Sequence, residues 1–439
     1  MKKKVVILGA GYGGIFAAAH LCKENKHFSV SLIDKNPYLQ LLQQIPYIIS
    51  GSKRQEDITV GIHELFANEM QTGYLEFVQA VVESIDLENK IVRTSSSGLS
   101  KHEVKDYEYD YLVISLGSET QYFNIAGAKE NSLPFRSVQD ALEIQERISS
   151  LPKNSVIIIG GGGPTGVSLA AALSESQPVS SKKIHIKIME SSNNLLPGWD
   201  SRLAKTCQKV LSSKGVEVLT GRTISRMTAR SVITDSDEEI ASDCTIWTAG
   251  AKGHSIKVSP QIGKTRSDTI PVDNYFRIPG FQSAYAIGDI CEFQPDKDSD
   301  RDNDKDSGGS GAEPLPKLAQ LAVRQARFVA ENIIRKEKGL DLRDKFDYYQ
   351  RGHTISLGNK SLAVLSGLLV TGDMCNYTED TIVDNFVIEI KNREKGVSAK
   401  ALAAAKALAA TKDTETVDYP AAFDFVTYAV SDAFSDLVR

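Results

Sequence analysis

The sequence predicts an α/β protein with two Rossmann-like dinucleotide-binding domains, the second inserted into the first, and a C-terminal α+β region. The apolar β-branched run Val5–Leu8 leads directly into glycines at positions 9, 11, 13 and 14. The run Val156–Ile159 leads into a second glycine cluster in the same way. A helical, alanine-rich pattern follows each copy, and a strand, a glycine turn and a helix in this order begin a βαβ unit.

The first glycine turn (residues 9–14) contains Gly9, Gly11, Gly13 and Gly14, and Asp34 ends the next predicted strand. Glycines in this pattern allow a tight turn and a close approach of the backbone to a pyrophosphate. The start of the following helix supplies partial positive charge, and the carboxylate accepts hydrogen bonds from ribose hydroxyls. The sequence therefore predicts that this turn binds FAD.

The second glycine turn (residues 161–166) contains Gly161, Gly163 and Gly166, and Glu190 follows the predicted strand Ile184–Met189. A carboxylate at this position binds a free 2′-hydroxyl and repels a 2′-phosphate. No arginine lies in residues 191–194 to compensate, which favours NADH over NADPH as the substrate.

The predicted domains follow from the repeat and from two matching strands, Tyr111–Ser115 and Thr245–Ala249, that close the two units. The FAD domain is predicted to comprise residues 1–118 and 251–340, with the NAD domain at 119–250 between them. Residues 341–439 form the C-terminal region. Within the FAD domain, the acidic Gly/Ser-rich segment 294–313 is expected to be a mobile surface loop, because it lacks apolar residues to bury.

Composition narrows the class of protein further. A net charge of -5 over 439 residues gives no basic surface for nucleic acid, and no apolar run is long enough to span a membrane. No signal peptide is evident, so a cytoplasmic protein is expected. The five cysteines are far apart in sequence and are expected to be buried, reduced thiols, and no metal site is predicted.

The chain resembles the type II NADH dehydrogenases, which are single-subunit NADH:quinone oxidoreductases, over about residues 3–390. The most specific matches are residues 109–118, 122–127, 247–250, 288–289 and 316–325. The resemblance implies that Asp289 holds the ribityl chain of a non-covalent FAD. It also implies that Ala319, Gln320 and Ala322 line the flavin and the quinone, with Gln320 and Gln325 as the catalytic residues of the quinone pocket. The remaining predicted cofactor-binding residues are Lys35, Val82, Gly117, Ser168 and Gly250.

Three departures from the family pattern keep alternatives open. Arg324 replaces one of two adjacent glutamines, Ser168 replaces a glutamate near the nicotinamide, and Gln43 replaces an aromatic residue beside the flavin. One alternative is an NADH-dependent reductase with a soluble protein or O2 as acceptor, and another is a flavin-bound redox sensor or scaffold with little turnover. Sulfide:quinone reductases and disulfide reductases are disfavoured because their cysteine pairs are missing.

A terminal amphipathic helix is predicted over residues 419–439, with an apolar stripe at Phe423, Val426, Val430, Phe434 and Leu437 or Val438. In the family such a region rests on the membrane, which implies a peripheral protein on the inner face of the cell membrane. The polar side of this helix carries aspartates rather than lysines and arginines. Packing of the stripe in the core or in a homodimer is the alternative.

Overall fold

A computed structural model describes residues 2–24, 26–96, 103–293, 315, 317–343, 346, 352–365 and 368–371. The described residues form two units. The first draws on 1–39, 60–119 and 251–349, and the second on 40–59, 120–250 and 350–439. The predicted loop 294–313, the predicted helix 419–439 and Cys375 lie outside the described residues.

The first unit is built on an eight-stranded sheet. Seven strands form a continuous order, and Lys257–Ser259 pairs with one of them, Leu75–Asp86. The order is Ala284–Ala286, Tyr111–Ile114, Lys3–Leu8, Phe28–Asp34, Leu75–Asp86, Ile91–Ser96 and Val104–Glu108. The first five strands are mutually parallel, and the last two extend the sheet in antiparallel fashion.

The core of the first unit lies around the parallel strands. Val5–Leu8 and Leu112–Ile114 are almost completely buried, as expected for strands covered on both faces. The helix Tyr12–Cys22 packs against the long helix Ala319–Glu337. Four buried aromatic rings form a cluster beside this long helix: Phe276, Phe293, Phe328 and Phe346.

The first unit also contains shorter elements. They are the helices Ile62–Leu65 and Ala67–Gln71, the 3-10 turn Gly288–Ile290, and the strands Ala251–Gly253, Ile270–Pro271 and Cys291–Glu292.

The second unit contains a five-stranded parallel sheet in the order Leu133–Pro134, Cys244–Trp247, Val156–Gly160, His185–Glu190 and Val216–Thr220. Its helices are Ile45–Ser50, Ala128–Asn131, Val138–Ser150, Pro164–Glu175, Gln177–Lys182 and Ser201–Ser213. A three-stranded antiparallel sheet, Ile224–Met227, Ser231–Thr234 and Glu239–Ala241, shares a buried cluster with Trp247 and Met189. A mixed sheet with five parallel strands and a second, fully parallel sheet, both with flanking helices, confirm the predicted fold class.

The C-terminal part of the second unit is described as three antiparallel strands, Gly352–Ser356, Ser361–Leu365 and Leu368–Thr371. These strands lie in the C-terminal region, for which the sequence predicts an α+β structure. The proposed domain limits, 1–118, 119–250, 251–340 and 341–439, stay a prediction. The two units of the structure differ from these limits: residues 40–59 and 350–439 group with the second unit, and residues 341–349 group with the first.

Candidate functional site

The first glycine turn connects the end of strand Lys3–Leu8 to the helix Tyr12–Cys22. Gly9 has φ +96°, and a Cβ there would overlap the carbonyl oxygen of Ser115. A Cβ on Gly14 would overlap the carbonyl oxygen of Gly9. These two glycines therefore let the helix approach the strands closely, which is a structural requirement of the turn itself.

Gly11 is the N-cap of this helix and has a different role. A Cβ added to it would meet no atom of the described chain within 4 Å. The space in front of the helix N-terminus is therefore open at this residue. The partial positive charge of the helix is strongest at this N-terminus. An anionic group such as a pyrophosphate therefore fits in the open space beside Gly11.

Asp34, the last residue of strand Phe28–Asp34, is held by two backbone N–H groups. Ala10 donates to Oδ2 and Asn36 donates to Oδ1, both at 2.7 Å. Burial raises the pKa of Asp34, while these two hydrogen bonds oppose the rise. Each carboxylate oxygen has a second lone pair, so the oriented carboxylate can still accept a hydrogen bond from a ribose hydroxyl.

The second glycine turn repeats this arrangement in the second unit. Gly161 has φ +114°, a Cβ on Gly166 would overlap the Gly161 carbonyl oxygen, and a Cβ on Gly163 would meet nothing within 4 Å in the described chain. Glu190 takes the place of Asp34. Gly162 donates its N–H to Oε2 and Ser192 donates its N–H to Oε1, both at 2.8 Å.

In each unit, a serine or threonine that follows the neighbouring strand forms hydrogen bonds to the backbone of the glycine turn. The Ser115 hydroxyl donates to the carbonyls of Leu8 and Gly9 at 2.8 and 3.0 Å. The Thr248 hydroxyl donates to the carbonyls of Gly160 and Gly161 at 3.1 and 3.0 Å. The two units therefore carry the same arrangement, which we call a dinucleotide cradle: a glycine turn, the acidic residue at the end of the next strand, and the hydroxyl residue that bonds to the turn. The residues of each cradle fit a bound dinucleotide.

A third feature of the first unit is the 3-10 turn Gly288–Ile290, which follows strand Ala284–Ala286. The Ser118 hydroxyl donates to Asp289 Oδ2 at 2.7 Å. The backbone N–H of Gly288 donates to Oε1 of Gln325 at 2.7 Å. The turn is thus fixed from two sides, and Asp289 lines a cleft together with Lys317, Ala322 and Gln325.

The predicted glutamines differ in their surroundings. Gln320 is exposed near the start of helix Ala319–Glu337, whereas Gln325 is 2% exposed and engaged with Gly288. The structure therefore gives Gln325 a positioning role that the sequence did not indicate. Its predicted place in an acceptor pocket, and that of Gln320, stay predictions.

The remaining predicted residues occupy both units. Gly117 follows strand Tyr111–Ile114 and has open space at its Cβ position, Val82 lies in strand Leu75–Asp86, and Lys35 follows Asp34. Ser168 is partly buried in helix Pro164–Glu175, and the Phe123 ring covers Gly250. Ala319 is the first residue of its helix. Their predicted contacts with cofactors stay predictions.

Sequence reasoning missed the residues that brace these turns: Ser115, Thr248 and Ser118. One signal was present, because Ser115-Leu116-Gly117 and Thr248-Ala249-Gly250 both place a small hydroxyl two residues before a glycine after a buried strand. The four cysteines in the described part of the chain are buried and form no disulfide. Burial raises the pKa of Cys291, two residues after Asp289, to about 12 and keeps it a neutral thiol.

Two dinucleotide cradles, each at the end of parallel strands in its own sheet, are the architecture of the flavoproteins with two dinucleotide-binding domains. Consistent with this class, residues 3–326 match the family of pyridine nucleotide-disulphide oxidoreductases, and the chain belongs to it.

Similar proteins include two curated relatives with the same name. The type II NADH:quinone oxidoreductases of Staphylococcus haemolyticus and Staphylococcus aureus are each 26% identical over 414 residues, covering 89% of this chain and 96% of the relative. These similarities confirm the resemblance inferred from the sequence.

Two solved structures share the fold. NDH2 from Plasmodium falciparum in complex with NADH superposes with a TM-score of 0.77 at 20% identity, covering 89% of this chain and 96% of that one. The sulfide:quinone oxidoreductase of Aquifex aeolicus superposes with a TM-score of 0.72 at 19% identity, covering 94% and 96%.

Proposed function

We propose that this chain is an FAD-dependent oxidoreductase that takes a hydride from NADH and passes electrons to a quinone, as a type II NADH:quinone oxidoreductase. The observation that carries the proposal is the duplicated cradle, with an open helix N-terminus and an oriented carboxylate in each unit. When bound, the flavin accepts a hydride from the nicotinamide and then returns electrons to an acceptor. The names of the curated relatives support the same activity.

The residues of the first unit hold the flavin dinucleotide. The open backbone at Gly11 receives the pyrophosphate and the Asp34 carboxylate receives a ribose. Asp289 accepts from the ribityl hydroxyls. Ser118 keeps that carboxylate in place from one side, and the bond from Gly288 to Gln325 fixes the turn from the other.

The residues of the second unit hold NADH. Glu190 is buried, and its carboxylate is already oriented by the backbone of Gly162 and Ser192. A 2′-phosphate would place negative charge against this carboxylate, with no arginine in residues 191–194 to neutralise it. The preference for NADH follows from that repulsion.

Gln320 is the residue we assign to the acceptor. Its amide can donate a hydrogen bond to a quinone carbonyl, and it is exposed near the start of helix Ala319–Glu337. Gln325, the other glutamine predicted for the quinone pocket, is buried and accepts a hydrogen bond from Gly288. This favours a second candidate, an NADH-dependent reductase with a soluble protein or O2 as acceptor. In that case Gln320 has no specific role in turnover.

We further propose that residues 419–439 rest on the inner face of the cell membrane and so bring a lipid-soluble quinone to the protein. No helix of the described residues is long and apolar enough to cross a membrane. Removal of residues 419–439 should reduce membrane recovery and the reduction of a lipid-soluble quinone, but spare a water-soluble quinone analogue. A change from dimer to monomer in sedimentation, with membrane recovery unchanged, would assign the segment to a homodimer instead.

The activity is tested on the purified full-length protein under anaerobic conditions. NADH should bleach the flavin spectrum, and subsequent quinone should restore it. Gln320→Ala should raise the KM for quinone and leave the rate of bleaching by NADH unchanged, whereas the matched control Gln208→Ala, an exposed glutamine of helix Ser201–Ser213, should change neither. Bleaching without recovery on quinone addition would support the second candidate. Absence of bleaching would refute both.

A further inference from the structure

The side chain of His254 contains a buried atom that the described chain leaves without a partner. Its Nδ1 makes no hydrogen bond within the structure. Buried polar atoms of this kind are rare in folded proteins, and each calls for an explanation such as a bound ligand. His254 follows strand Ala251–Gly253 in the first unit, outside the residues already assigned to the first cradle.

The backbone around His254 is fixed to the cradle. The N–H of His254 donates to the carbonyl of Gly117 at 3.2 Å. The next residue, Ser255, donates its hydroxyl to Glu119 at 2.8 Å. Gly117 follows strand Tyr111–Ile114, which runs parallel to Lys3–Leu8, so His254 lies at the carboxyl edge of the sheet, the same edge that carries the first glycine turn.

The imidazole also interacts with the acidic residue at the end of the strand Phe28–Asp34. It is near enough to Asp34 for the two groups to interact electrostatically, each shifting the pKa of the other toward its charged form. Burial lowers the pKa of His254, and Lys35 lowers it further. Together they outweigh the opposing effects of Glu119, the Ser255 backbone and Asp34, all of which raise it. The side chain is therefore a neutral imidazole at pH 7, with one nitrogen as a donor and the other as an acceptor.

These observations define the ligand chemistry. A neutral imidazole at the same sheet edge as an oriented carboxylate matches a ribose diol. One ribose hydroxyl can donate to the carboxylate, and either hydroxyl can form a hydrogen bond with the ring nitrogen. We propose that His254 is an additional ligand of the ribose bound by Asp34, with its Nδ1 hydrogen-bonded to a ribose hydroxyl. The proposal rests on the assignment of FAD to the first cradle.

The test measures FAD affinity rather than turnover. Full-length protein stripped of FAD is titrated with FAD and with analogues that lack the 2′- or the 3′-hydroxyl of the adenosine ribose. His254→Ala should weaken FAD binding roughly 3- to 10-fold, the effect of losing one uncharged hydrogen bond. The same substitution should cost little for the one analogue that lacks the contacted hydroxyl. His185→Ala, an exposed histidine at the start of strand His185–Glu190, is the matched control and should bind FAD normally.

His254→Asn places an amide near the position of Nδ1 and should recover much of the lost affinity, which a general loss of packing would not allow. It also preserves the test if the alanine variant fails to fold. An equal loss of affinity for FAD and both analogues, or wild-type affinity in His254→Ala, would overturn the proposal. A wild-type protein that binds no FAD would instead refute the proposed function, so the two failures are distinguishable.

Discussion

Two alanine substitutions in the second glycine turn should separate ligand binding from folding. Gly163 has φ -71°, which alanine adopts readily, and a Cβ there meets no described atom within 4 Å. Gly166 is the opposite case. A Cβ on it would overlap the Gly161 carbonyl oxygen and lie 2.7 Å from Thr248 Oγ1. Gly163 therefore borders open space, whereas Gly166 is packed tightly against the turn.

The expected magnitudes follow from those surroundings. Gly163→Ala loses a glycine N-cap, which costs about 1 kcal/mol of stability or less. Its methyl group then occupies the space that the NADH pyrophosphate approaches, and an overpacking cost of about 1 to 3 kcal/mol corresponds to a Kd for NADH that is roughly 5- to 150-fold higher. Gly166→Ala must separate the helix from the turn, so it should cost about 3 kcal/mol or more in the free energy of unfolding.

The assay combines two measurements on FAD-loaded protein. The rate of flavin bleaching against NADH concentration gives the Kd for NADH, and thermal unfolding gives stability. Gly163→Ala should change the first measurement and nearly spare the second, while Gly166→Ala should lower the melting temperature strongly. A Kd within twofold of wild type for Gly163→Ala would refute the placement of the pyrophosphate at this helix N-terminus. Equal destabilisation by both variants would refute the structural distinction between the two glycines.

Three further predictions concern stability and FAD retention. Gly250→Ala should lower stability for two reasons: Gly250 has φ +72°, which strains alanine, and its Cβ would overlap the Phe123 ring. Phe123→Ala should relieve the second part, about 1 kcal/mol, in a double-mutant cycle, and additive effects would argue against the contact. Ser118→Ala should release FAD more readily than wild type by about 1 kcal/mol of binding free energy, measured by flavin retention on dilution, because the Asp289 carboxylate loses its 2.7 Å hydrogen bond; unchanged retention would contradict the assigned role. Burial lowers the pKa of His20 from 6.5 to about 4, so this residue is neutral when folded and its contribution to stability is complete above pH 6.5 and is lost as the pH falls toward 4. The free energy of unfolding, measured with urea, should fall less between pH 7 and pH 5 for His20→Asn than for wild type. The difference should be at most about 1.4 kcal/mol per pH unit, and equal decreases would disprove the lowered pKa of His20.

The parts of the site that the sequence predicted are those set by local order along the chain. A buried strand, a glycine turn, a helix and an acidic residue at the end of the next strand occur within about 30 residues, so Gly11 with Asp34 and Gly163 with Glu190 could be found by inspection. The structure shows both carboxylates held by backbone N–H groups of the turns, a detail that depends on exact strand register.

The parts that could not be predicted depend on contacts between distant segments. Ser115 reaches back to Gly9 across 106 residues, and Gln325 holds Gly288 from a helix 37 residues further along the chain. Nothing in the local sequence of Gln325 distinguishes it from an acceptor-binding glutamine. The grouping of residues 40–59 with the second unit has the same origin, because Gln40 accepts from the Val138 N–H and Gln145 donates to the Ile48 carbonyl.

One difference between the two cradles has a simple steric cause. The residue that donates its N–H to the carboxylate is alanine in the first turn and glycine in the second. A Cβ on Gly162 would lie 2.7 Å from the Cβ of Glu190 and 2.7 Å from Leu195 Cδ2, closer than atoms can pack without a shift. In the first turn, Ala10 makes the corresponding hydrogen bond to the shorter Asp34 and keeps its methyl group buried. The hydrogen bond to the backbone is thus preserved in both units, and the size of the donor residue is matched to the carboxylate that it orients.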